Sequence, residues 1–278
     1  MTKRVMMVVL WGICGLMTWA QPQNYNALME QAKGYFAQKD YAKSIECYEL
    51  VIAELEGTEF ESLVPSVRNS IAINNMYMGV AALKGKDYPT AKTHLENAIK
   101  DAKPDSKTYF MAHSWMGQWN SVQALNIRMN HGDLAQAVKL SLEAERYFDL
   151  ANAPEKRLKE QLSRASVLQD LSRADEAEAL LKQIMNECEG WTDRRVIMGK
   201  AAYGLGGLEM ATERYQLAMK HLEQGYDLCL AGSTADVKAY AHLCATKLSQ
   251  LFESGVPDAD KAVLWKQRAD ETDPHIDK

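Results

Sequence analysis

The residue types able to do chemistry are scattered along this chain of 278 residues. His94, His113, His131, His221, His242 and His275 form no HExxH pair, and none stands at ligand spacing from a cysteine. Neither a zinc-protease helix nor a structural zinc site is therefore expected. Cys47, Cys188, Cys229 and Cys244 contain no CxxC, which argues against a dithiol redox motif. They read either as disulfide partners or as small buried hydrophobes, and a chain this long buries a core without staples, which favours the second. Cys229 and Cys244 are the pair worth watching. The cluster Gly204-Leu205-Gly206-Gly207 superficially resembles a nucleotide loop. That motif needs a preceding strand, whereas these glycines fall mid-helix and suit a close helix crossing. Trp115 and Trp119, four apart with Tyr109, Phe110 and Met116 nearby, form either an inter-helix core or an exposed platform, with the core favoured. No nucleophile–base pair is visible, so no catalytic residue, metal ligand or cofactor is expected. Only a carboxylate pair assembled from separate helices would revive an enzyme reading.

The elements that would position these residues come from the rest of the chain. Its formal charge of -5, with 25% charged and 47% hydrophobic residues, is ordinary globular composition. No basic cluster suggests nucleic acid. Lys3 and Arg4 precede an apolar run from Val5 to Met17, followed by Thr18-Trp19-Ala20 and Gln21. This pattern predicts a secretory signal peptide over 1–20, because the run falls short of the roughly 20 residues a bilayer span needs. An uncleaved anchor is the alternative. Cys14 follows the bulky Ile13, which does not fit a lipoprotein acylation site. The mature chain, 21–278, is expected as a single exported domain without a transmembrane span, in the periplasm or at the cell surface of a bacterium.

Gly79 to Ala98 sets the pattern for that domain. Gly79 and Ala82 lie on one helix; Gly85-Lys86-Asp87 turns the chain; Tyr88 and Pro89 open a second helix carrying Ala91, Leu95 and Ala98. Such a hairpin cannot bury its apolar faces alone and needs copies as neighbours. The second-helix small position recurs at Ser44, Ala91, Ala137, Ala177, Ala218 and Ala262, with spacings of 47, 46, 40, 41 and 44 residues. The implied repeats cover about 25–56, 66–103, 106–151, 154–189, 192–231 and 235–271. The third is degenerate, with Arg128 where an aromatic is usual, and the sixth is the weakest and suits a cap.

With its small-x2-aromatic first helix and Ala-x3-aromatic/Leu-x2-Ala second helix, the chain resembles the tetratricopeptide-repeat (TPR) family. Its period exceeds the family's 34 residues and is nearer that of kinesin light chains and several bacterial regulatory proteins. The resemblance implies an all-α fold, a right-handed α-solenoid of about six TPR-like helical hairpins, binding partners on its concave face. Carrying over the inward positions gives Met29, Lys33 and Phe36; Met76, Val80 and Leu83; Trp119, Val122 and Asn126; Leu162, Ser166 and Gln169; and Lys200, Tyr203 and Gly207. The carboxylate clamp of chaperone-binding members is missing, because its positions hold Met29, Met76, Val122, Leu162 and Tyr203. What remains is an apolar, Met-rich channel edged by Lys33, Asn126 and Lys200, suited to adaptable recognition. The expected function is a non-catalytic scaffold for a protein or peptide partner, with no nucleic acid and with a homo-oligomer possible. A sensory ectodomain working with a membrane partner is the first alternative, and an envelope glycan-handling enzyme the second.

Overall fold

A computed structural model describes residues 24–231 and 234–274. The expected signal peptide, 1–20, lies outside the described residues. Twelve α-helices and no strand occur among them. The chain divides between Ala112 and His113 into two units. The first holds α1 (Tyr25–Ala37), α2 (Tyr41–Leu55), α3 (Val64–Lys84), α4 (Tyr88–Asp101) and the opening turns of α5 (Lys107–Met129). The second holds the rest of α5, then α6 (Leu134–Leu150), α7 (Pro154–Asp170), α8 (Ala174–Cys188), α9 (Arg195–Ala211), α10 (Tyr215–Leu230), α11 (Ala235–Gln250) and α12 (Ala259–Thr272). Within the first unit α1 packs on α2, α2 on α3 and α3 on α4. From α6 to α12 each helix of the second unit likewise packs on its successor. The fold is an all-α solenoid of consecutive TPR-like hairpins. No helix among the described residues is long and apolar enough to cross a membrane.

The turns show why the repeat recurs. Lys39, Lys86, Ser172 and Glu213 end the first helices of their hairpins at φ 63°, 62°, 59° and 57°. The next N–H in each case reaches back five residues. Asp40 donates to Tyr35, Asp87 to Ala82 and Arg173 to Leu168, each at 2.9 Å, and Arg214 donates to Glu209 at 2.8 Å. These are Schellman closures, which satisfy the orphan carbonyls of a helix end. Asp40 and Asp87 then cap the second helix, accepting from the N–H of Lys43 and Thr90. His131, at φ 53°, makes the same turn in the third hairpin with Gly132 added, and Asp133 caps α6.

Left-handed backbone costs an L-residue about 1–2 kcal/mol, and glycine adopts it freely at the cost of a floppier unfolded chain. Glu213 is exposed, so Glu213→Gly is expected to stabilise by about 0.5–1 kcal/mol net and raise Tm by about 2–4 °C. A thermal melt reads this directly. No rise would show that the turn is unstrained.

The hairpins close on small residues. A Cβ at Gly79 would stand 2.8 Å from Leu95 Cγ and 3.2 Å from the Ala91 carbonyl. A Cβ at Gly206 would stand 2.5 Å from Leu222 Cγ and 3.4 Å from the Ala218 carbonyl. Both pairs are sixteen residues apart, so one contact is built twice. Gly199 and Gly225 do the same for sulfur, since a Cβ there would meet Cys229 Sγ at 2.6 Å and Cys244 Sγ at 3.0 Å. All four described cysteines are buried, and burial pushes the Cys244 thiol far above its ordinary value. They serve as small hydrophobes.

Candidate functional site

The first helices of the last three hairpins turn one face to a common trough in the second unit. On α7 the face carries Lys159, Leu162, Ser166 and Gln169; on α9 Lys200, Tyr203, Gly204 and Gly207; on α11 Tyr240 and Lys247. The spacings of three, four and seven along each helix put these residues on one side. A cavity of about 420 Å³ lies between α7, α9 and α11, with Arg128 of α5 at its edge. A second, of about 360 Å³, continues it toward Leu208 and Ala211. The two share Gln169, Tyr203 and Gly204.

Four side chains form a linked set across α9 and α11. The rings of Tyr203 and Tyr240 meet edge to face, 5.6 Å between centroids. Lys200 Nζ lies 4.5 Å from the Tyr240 centroid and Lys247 Nζ 5.5 Å from that of Tyr203. Burial, then Cys244 and Tyr240, push the Tyr203 phenol above its ordinary value, so it stays a neutral donor. The glycines leave room for this. A Cβ at Gly204 would press on Leu181 at 3.0 Å, while one at Gly207 would only touch Lys247 Cε at 3.7 Å.

Ser166, Lys200 and Tyr203, with Leu162, Gln169 and Gly207, thus come together in the trough. Trp119 and Asn126 are half-buried on α5 and line neither cavity, where Arg128 is the α5 residue present. In the first unit Met29 borders a small apolar cavity of about 80 Å³ with Tyr25, Val51, Leu55 and Val67. Lys33 is exposed and paired with Glu30 at 2.7 Å. Phe36 belongs to a ring cluster with Tyr41 and Tyr77, whose rings stack at 5.5 Å. Val80 is half-buried.

Met76, expected in the channel, is only 4% exposed. α3 also buries Val67, Ile71, Ala72, Asn74, Asn75, Gly79 and Leu83. Seven residues so distributed leave no outward stripe at position 76. Met76 is core, and a charge placed there would test folding, not binding.

His94, His221, His242 and the buried carboxylates serve the packing. His94 Nδ1 bonds Asn75 Oδ1 at 3.0 Å, and His242 Nδ1 donates to the Ala269 carbonyl at 2.8 Å. Glu209, 1% exposed, bonds His221 Nδ1 at 2.7 Å. Glu145 and Glu160, from α6 and α7, are 8% and 6% exposed. Arg164 clasps Glu145 through two hydrogen bonds, Nε–Oε1 at 2.6 Å and Nη2–Oε2 at 3.1 Å. This is the carboxylate pair that separate helices can assemble, and it sits inside the bundle away from the trough lining. Among the described residues no group of three His, Cys, Asp or Glu is arranged to hold a metal ion.

No family model matches the chain, and no curated protein does. Among solved structures it is similar to BtubC (BKLC) from P. vanneervenii, with a TM-score of 0.53 and 14% identity over 88% of this chain and 91% of that one. It is also similar, at a TM-score of 0.47 and 11% identity over 91% of this chain and 77% of the other, to a Rap protein complexed with Competence and Sporulation Factor. At these identities the likeness to BtubC speaks for the fold alone.

Proposed function

We propose that the chain is a non-catalytic scaffold, exported from a bacterial cell, that grips a protein or peptide partner in the trough of its second unit. The observation that carries this is the continuity of the trough. Three successive first helices present half-buried Ser166, Gln169, Lys200, Tyr203, Tyr240 and Lys247 along one concave face. Elongated surfaces of this sort bury a chain segment, with a few aromatic anchors supplying most of the affinity. Export is supported by Lys3-Arg4, the apolar run and Ala20-Gln21.

The test is cross-linking of the chain in its native envelope, comparing it with a Gly207→Trp variant. The added ring projects into the trough, and a side chain at 207 meets only the flexible end of Lys247. One stoichiometric protein partner, lost on the variant while its melt is retained, is the expected result. Partner capture unaffected by the plug would remove the trough from the account. Mass analysis of the same material reads the processed N-terminus, expected at Gln21.

A further inference from the structure

Gly207 stands apart from the close-packed glycines of the second unit. A Cβ at Gly199, Gly206 or Gly225 would stand 2.6, 2.5 or 3.0 Å from a side chain of a neighbouring helix. A Cβ at Gly207 would meet only the end of Lys247, 3.7 Å from Cε and 3.8 Å from Nζ, which is ordinary contact. Glycine inside a helix costs stability relative to alanine, and alanine would fit here, so packing does not account for Gly207. The gap it leaves opens into the smaller cavity of about 360 Å³, which Leu208 and Ala211 also line. A cation stands over that gap. Lys247 Nζ lies 5.5 Å from the centroid of Tyr203. Tyr203 precedes Gly207 by one helical turn, so ring and gap share one side of α9. A side chain occupying the gap would touch the same nitrogen.

Resting on the binding reading above, we propose that the smaller cavity takes an aromatic side chain as the anchor of the bound peptide, and that Lys247 makes this choice. The anchor's ring lies on Gly207 and Leu208 beside Tyr203, its negative face against the Lys247 ammonium. The face of an aromatic ring attracts a cation, whereas an aliphatic side chain of the same size does not. The ammonium therefore separates the two over a floor apolar enough to accept either. An acidic side chain would meet the same ammonium but would desolvate its carboxylate over Gly207, Leu208 and Ala211. A ring buries there without that cost.

Panning a random displayed peptide library on the full chain tests this, with Lys247→Met, Lys247→Arg and Gly207→Trp variants in parallel. Enriched peptides should share one aromatic residue. Replacing it in a selected peptide by cyclohexylalanine, which keeps the size and loses the π face, should weaken binding roughly three- to thirtyfold. That preference should persist on Lys247→Arg and vanish on Lys247→Met, whose aliphatic stem preserves the packing. Gly207→Trp should block every selected peptide. A shared aliphatic or acidic residue in place of the aromatic one, or an aromatic preference that Lys247→Met leaves unchanged, would overturn the anchor assignment. A retained block by Gly207→Trp would then keep the trough as a peptide site. Binding indifferent to Gly207→Trp, or no enrichment at all, would overturn both.

Discussion

Gly206→Leu is expected to abolish cooperative folding of the second unit, although helix propensity alone predicts the opposite. In a helix interior leucine is favoured over glycine by nearly 1 kcal/mol. At 206 the new Cβ would stand 2.5 Å from Leu222 Cγ and 2.7 Å from its Cδ2, and Leu222 is wholly buried. Neither helix can retreat without opening the contact that joins α9 to α10. Overpacking by a methylene or two already costs about 1–3 kcal/mol, and a whole isobutyl group exceeds that. Two comparisons isolate the cause. At Gly34, inside α1, a Cβ would meet nothing within 4 Å, so Gly34→Ala should stabilise by about 0.5–1 kcal/mol. Adding Leu222→Ala to Gly206→Leu should restore part of the loss, a coupling that a double-mutant cycle reads. If Gly206→Leu melts at or above the parent temperature, the crossing is looser than these distances imply and the hairpin account fails.

That contact is also where sequence and structure meet most directly. The all-α hairpin array is legible because each turn and crossing is local. An aspartate such as Asp40 or Asp87 caps the second helix of the same hairpin whose first helix ends just before it. The small residue and its leucine are sixteen positions apart, so one window of sequence contains both partners. The division of the chain inside α5 has no such signature. Nothing in the composition changes at Ala112 and His113, and helix propensity continues smoothly through both.

The trough is legible in part, and its charge is not. Leu162, Ser166, Gln169, Lys200, Tyr203 and Gly207 lie on it because helical spacing fixes which side of α7 and α9 faces inward. Arg128, Lys159 and Lys247 are separated by 31 residues or more, so no window of sequence shows a basic cluster. Only the stacking of repeats brings them together. Met76 departs from expectation for a related reason. In a repeat longer than 34 residues the first helix has extra turns to bury, and α3 spends them on core. The signal that could have found this is α3 itself, whose apolar residues are spread around the helix instead of forming one stripe.

Arg164→Met should cost about 3–5 kcal/mol at neutral pH, and much less at pH about 5, because it strands charge inside the second unit. Glu145 loses the guanidinium that clasps it. It keeps only the Gln161 amide, donating at 3.3 Å. Glu160 suffers as well. Burial first, and the neighbouring Glu145 in addition, raise its carboxyl above the ordinary value of 4.5, while Ser121, Ser141 and Arg164 pull it down. A carboxyl raised on folding binds its proton more tightly in the folded chain. Its contribution is therefore present at and below the ordinary value and is lost as pH climbs through the raised one. Removing Arg164 takes away one of the groups that hold the Glu160 carboxyl down, steepening that loss between about pH 5 and neutrality. Glu160→Gln is the complementary change. It should flatten the acid side of the stability profile in the parent and recover part of the Arg164→Met loss at neutral pH. Denaturant unfolding at the two pH values measures all of this, with the slope of the transition as a check that the unit unfolds as one. An Arg164→Met cost equal at both pH values would mean that Glu160 does not change its protonation between them, and the pH-dependent account of this cluster would fail.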